Sequence, residues 1–136
     1  MKKLIFFIFL IIISIISSAQ IISDTKHNTI LYVSDGVIKN KLNIKIATYT
    51  DSTISNYTGI EFVRILSNND ILDKNRGIVG KILNNKIIDQ KGKILGYIHQ
   101  EFGYVTDANK KIIMYLDESI NQEIAILLIF FYPELG

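Results

Sequence analysis

The chain has 136 residues, no cysteine, and 15 basic against 13 acidic side chains in a composition that is 49% apolar. That length gives at most one domain once a targeting segment is removed. Without cysteine there are no disulfides, no thiol nucleophile and no lipid-modified Cys; the small surplus of charge argues against nucleic acid or an anionic membrane as the main partner.

In chain order, residues 1–19 read as a signal peptide. Lys2 and Lys3 precede an unbroken apolar run from Leu4 to Ile13 that continues through Ile16, and Ser17, Ser18 and Ala19 follow. Cleavage is expected after Ala19. The apolar core is shorter than the roughly 20 residues a spanning helix needs, so no stable membrane span is expected after cleavage. Losing Lys2 and Lys3 leaves 13 basic and 13 acidic residues, so the formal surplus of +2 belongs to the signal. The expected location is secreted or periplasmic.

Residues 20–34 form an N-terminal segment in which Thr29-Ile30-Leu31-Tyr32-Val33 reads as one strand. From 35 to 118 a pattern recurs: Ile or Val, any residue, then Asn or Asp. It falls at Ile38/Asn40, Ile54/Asn56, Ile71/Asp73, Ile87/Asp89 and Val105/Asp107, at spacings of 16, 17, 16 and 18 residues. Such self-similarity marks a repeated supersecondary unit. In Asn56-Tyr57-Thr58-Gly59 and Asp89-Gln90-Lys91-Gly92 the Asx and Gly stand where a type I turn prefers them. The alternation after each turn, as in Ile94-Leu95-Gly96-Tyr97-Ile98, is a strand signal. Each unit is therefore a β-hairpin, joined to the next at Asp35-Gly36, Asp51-Ser52, Asn68-Asn69 and Asn84-Asn85. Seven residues after each Asx stand Ala47, Val63, Gly80, Gly96 and Met114, mostly small, which suggests a place where backbones converge.

Residues 119–136 carry the apolar run Ile124 to Tyr132, expected as a closing strand that stops at Pro133. The alternative is a buried short helix, since Ser119-Ile120-Asn121-Gln122 has capping-box spacing. The expected fold is all-β: five short β-hairpin repeats around a pseudo-fivefold axis, with N- and C-terminal closing strands. The repeats, typified by residues 70–98, resemble the five-fold β-flower proteins of Bacteroidetes-type bacteria. That resemblance implies five hairpins around an axis and carries no established activity or catalytic residues.

No stretch names a chemistry, and neither a cofactor nor a metal site is expected. His27 and His99 are the only imidazoles, and neither sits in a ligand-like cluster. Asp73, Asp89 and Asp107 recur at one position, but Asn40 and Asn56 fill the same role, so turn chemistry accounts for all five. The repeat is most irregular at His99 to Tyr104. If the strand continued past Ile98, period two would put Tyr97, His99 and Glu101 on one face. Those three with Tyr104 form the candidate binding patch. The leading expectation is a non-catalytic β-repeat domain that binds or scaffolds at the cell envelope, with a protein, a glycan or a small apolar ligand as partner. A carrier of a small apolar ligand is the alternative, and a hydrolase using two of the repeated acids a more remote one.

Overall fold

The architecture begins with an Asn or Asp whose side chain closes a turn. In the computed structural model, which describes residues 20–117 and 119–135, the Oδ1 of Asn40 accepts from the backbone N–H groups of Leu42 and Ile44. Asn56, Asp89 and Asp107 do the same two and four residues on, and Asp73 two and three residues on. Asp24 repeats the geometry with Lys26 and Asn28. There are thus six such turns, not five. The additional one opens at Ile22-Ser23-Asp24, so residues 20–34 hold a hairpin rather than a single strand. The expected signal peptide lies outside the described residues.

Each turn joins two strands. These are β1 (Gln20–Ser23) and β2 (Thr29–Ser34), β3 (Val37–Asn40) and β4 (Lys45–Tyr49), and β5 (Thr53–Asn56) and β6 (Glu61–Ile65). There follow β7 (Asp70–Asp73) and β8 (Gly77–Leu83), β9 (Lys86–Asp89) and β10 (Ile94–His99), and β11 (Tyr104–Asp107) and β12 (Ile112–Leu116). Every strand pairs antiparallel with its sequence neighbours. β12 returns to pair with β1 through Ile22↔Leu116 and Ser23↔Tyr115, so the twelve strands close into a barrel. Closure removes the unpaired edges on which β proteins aggregate.

Period two decides what fills the barrel. Ile22, Ile38, Ile54, Ile71, Ile87 and Val105, one per hairpin, point inward and are 0–1% exposed. The register slips once in every hairpin, directly after that residue. The residue left over on the second strand is Ile30, Ile46, Phe62, Val79, Leu95 or Ile113, all apolar and half-buried against the core. Six bulges at one position bend every hairpin alike, which is how a sheet is curved into a barrel.

A barrel of about eight strands can be filled by its own side chains, whereas twelve strands leave room inside. The C-terminal apolar run fills it, and as a helix, correcting the expected closing strand. It comprises α1 (Gln122–Ile126) and a wider π-helical turn (Leu127–Phe131). Ile124 to Leu128 are at most 2% exposed and belong to one cluster with the inward residues of the strands. The reason is backbone hydrogen bonding. β1 already occupies the edge of β12, and an extended segment inside an apolar barrel would have no partners for its N–H and C=O groups, whereas a helix satisfies them itself. Its ten residues at 1.5 Å each make about 15 Å, close to the span of four or five strand residues. The cap is Asn121, whose Oδ1 accepts from the Ile124 N–H at 3.1 Å, rather than Ser119.

The two ends of the helix are fixed to opposite ends of the barrel. At the joint end, Asn121 donates to the Asp51 carbonyl (3.3 Å), Gln122 to Asn85 Oδ1 (3.1 Å) and Gln100 to the Ile120 carbonyl (2.7 Å). At the turn end, Tyr132 donates to Asp73 Oδ2 at 2.5 Å. The small-residue column now has its explanation. A Cβ on Gly96 would overlap the Thr106 carbonyl oxygen and lie 2.6 Å from the Phe130 ring, and one on Gly80 would lie 2.6 Å from the Phe131 ring. These glycines make room for the aromatic end of the helix.

Candidate functional site

The outer wall alternates with the inner one, and over most of the barrel it carries polar or charged side chains such as Lys39, Arg64, Lys81 and Lys86, with exposed aliphatics at Ile78 and Leu83. On β10, β11 and β12 it changes character. The register sets Tyr97 beside Thr106 and Thr106 beside Ile112, then His99 beside Tyr104 and Tyr104 beside Tyr115. The His99 and Tyr104 rings are 4.9 Å apart, Phe102 lies 6.1 Å from Tyr104, and His27 stacks on Tyr115 at 4.5 Å. Between the strands lies a groove of about 420 Å³ lined by Tyr97, His99, Tyr104, Thr106, Lys110 and Ile112.

Of the four expected site residues, the fold gathers Tyr97, His99 and Tyr104 at this groove and leaves Glu101 outside it. β10 ends at His99, and Gln100–Phe102 form a 3-10 turn closed by Gly103 at φ 74°. Glu101 is exposed on that turn, so the expected continuation of the strand past Ile98 stops one residue on, and with it the shared face.

Two groove residues escape a reading of the sequence. Thr106 is 3% exposed although it faces outward, and its Oγ1 has no hydrogen-bonding partner among the described residues. A buried hydroxyl left unpaired costs about 1–3 kcal/mol. Lys110 sits at φ 65°, where three of the equivalent turns place Gly59, Gly77 and Gly92 and the other two place His27 and Asn43. A left-handed conformation costs a non-glycine residue about 1 kcal/mol, less for Asn or Asp than for Lys. Asn109-Lys110 could be seen as a turn, but nothing in the sequence showed which way Lys110 would project.

A second cavity, of about 580 Å³, opens at the turn end above the helix. Val79, Leu95, Phe130 and Phe131 line its apolar part, with Arg76, Asp89, Gln90 and Lys91 around it. Beside it, Asp73 accepts from Tyr132, from the backbone of Asn75 and Arg76, and from the Arg76 guanidinium at 3.1 and 3.2 Å. Burial pushes the Asp73 carboxyl up, but these donors outweigh it and hold its pKa down at about 2. The guanidinium also lies over the Tyr132 ring, 5.6 Å from its centre. This cluster anchors the helix to β7. The Asp89 and Asp107 carboxylates likewise each hold two backbone N–H groups of their own turns. Among the described residues no three His, Asp or Glu side chains converge as a metal site, and no helix is long and apolar enough to cross a membrane.

No family model matches the chain, nor does any curated protein or solved structure.

Proposed function

We propose that the chain is an exported, non-catalytic binding module of the cell envelope whose ligand surface is the outer-wall groove of β10 to β12. The observation that carries this reading is the departure of one sector from the rest: aromatic rings gathered on a wall that elsewhere carries scattered polar, charged and aliphatic side chains, around a buried hydroxyl without a partner among the described residues. Export rests on residues 1–19, with their Lys pair, apolar core and small residues before the expected cleavage point. We read the scaffold as one hairpin unit copied around a ring, in the manner of the β-flower proteins, with six copies in place of the five counted from the sequence.

The test has two arms. Fractionation of cells carrying the full chain should find the processed protein in the periplasm or medium, with its N-terminus at Gln20. The purified mature protein should be retained by washed envelope material, and a Tyr97→Ala, His99→Ala, Tyr104→Ala triple variant with an unchanged melting curve should lose at least tenfold in retention. Equal retention of the variant would move the ligand surface elsewhere.

The second reading is a carrier for an amphiphile, favoured by the turn-end cavity, whose volume lies in the range of small-molecule sites. Leu95→Gln at its apolar part distinguishes the two: a carrier would lose an alkyl-chain ligand, while envelope retention through the outer wall would persist.

A further inference from the structure

We infer that the outer-wall groove binds an acidic saccharide, a pyranose ring bearing a carboxylate; this rests on the reading of the groove as the ligand surface. A pyranose offers C–H groups from its faces and hydroxyls around its rim. The groove offers both complements. The Tyr97, His99 and Tyr104 rings line it, and an aromatic face attracts polarised C–H groups through its negative quadrupole and orders with little entropy loss. Around them stand two phenol hydroxyls, an imidazole and the Thr106 hydroxyl, the last able both to donate and to accept.

Other ligand classes fit less well. A lipid chain would meet a single aliphatic side chain, Ile112. A cationic ligand would face Lys110, the one charged side chain among the described residues that line the groove. A peptide added as a strand needs a free sheet edge, and the barrel has closed its own. A multiply charged phosphate is bound by clusters of cations or by helix N-termini, and the described lining of this groove holds one ammonium. One ammonium matches one carboxylate.

Two residues sharpen the assignment because each opposes stability where it stands. Among the described residues Thr106 keeps a buried hydroxyl unpaired, and Lys110 occupies a left-handed position that three sister turns give to glycine and the other two to His27 and Asn43. Strained or unpaired groups cluster where function holds them. Both line the same groove. A rotation about χ1 would turn the Thr106 hydroxyl out of the wall to pair with a saccharide hydroxyl, and the saccharide carboxylate would engage Lys110.

The experiment titrates the mature protein, followed by amide chemical shifts, with trimers of galacturonate, glucuronate and mannuronate, and with neutral maltotriose and xylotriose. At least one acidic trimer should bind at least tenfold more tightly than the neutral ones and shift the amides of Tyr97, Tyr104 and Thr106. Thr106→Val, nearly isosteric, should weaken that binding at least fivefold while raising Tm. Lys110→Gly should also raise Tm, and should bring acidic and neutral trimers to equal affinity. The inference is overturned if none of the acidic trimers binds, if neutral trimers bind equally well to the parent protein, or if both variants bind as the parent does. Failure here leaves the broader reading separate: envelope retention that depends on Tyr97, His99 and Tyr104 but is not competed by any saccharide keeps the binding surface and discards only its ligand class.

Discussion

The inner and outer walls of this barrel come from the same short strands, yet they obey different rules. Inside, the six hairpins are nearly interchangeable: a fully buried Ile or Val before each Asx, a bulge after it, and an apolar side chain in the bulge. Outside, the sectors differ, with lysines and arginine on β3 to β9 and stacked rings on β10 to β12. The inner wall must close around one helix, and any change there is felt by its neighbours. The outer wall meets only solvent, so one sector can diverge without disturbing closure, and this is where binding residues accumulate on a rigid scaffold.

The comparison can be broken most violently from inside. Leu127→Asp places a carboxylate in the middle of the apolar barrel, where Leu127 is 0% exposed. Its desolvation exceeds the ~5–15 kcal/mol that holds a domain together once partnerless burial and the lost apolar contact are added, so circular dichroism should show no cooperative melt. Gly96→Ala should cost about 2–4 kcal/mol in urea titration, because overpacking acts on a rigid surround. Adding Phe130→Ala to it should not restore stability, since the Thr106 carbonyl would still be overlapped.

A smaller effect is expected at the anchor of the helix. Tyr132→Phe removes one donor from the buried Asp73 carboxylate and should cost about 1–3 kcal/mol. The pH dependence follows from the lowered pKa of Asp73. The stabilisation is complete above the ordinary carboxyl range near 4 and is lost as pH falls towards about 2. In Tyr132→Phe the folded-state pKa should rise, so less stability remains to be lost across that window; acid titration of the melting temperature checks it.

Outside, effects should shrink. Tyr97→Ala should change stability by less than ~1 kcal/mol, the range of cross-strand pairs on an exposed face, while reducing ligand retention. Smallest of all is Asp89→Asn, expected within ~0.5 kcal/mol by thermal melting, because Asn40 and Asn56 already make the same two backbone bonds without charge. A larger loss would assign the repeated acids a role beyond the turn.

The hairpin rhythm was legible because its turns depend on side chains that few residues can replace. Ile38, Ile54, Ile71, Ile87 and Val105 are all fully buried, as their shared position two residues before an Asx implies. The sixth unit is obscured in the sequence because Ile22 and Asp24 directly follow the signal-like run. The helix was harder: Ile124 to Tyr132 has no polar residue to set a period, and an unbroken apolar run suits a buried strand as well as a buried helix. What decided it was whether a sheet edge remained for it, a property of the whole ring. At the candidate site, the irregular spacing pointed to β10 and β11, and Tyr97, His99 and Tyr104 meet there. Glu101 does not, because the added residues form a 3-10 turn instead of extending the strand. Thr106 left no trace in the sequence, since burial on an outward face depends on its neighbours across two strands.

The helix that fills the barrel follows all twelve strands in the chain, and this sets an order of assembly. Neighbouring strands pair locally and can form early, but the ring they enclose has no solid centre until residues 122–131 enter it. β1 must also wait for β12, some 90 residues later, before the last seam closes. Until then an apolar lining and two unpaired strand edges stay open to other chains. That delay keeps the chain loosely organised until late: it becomes a single rigid body only when residues 122–131 arrive.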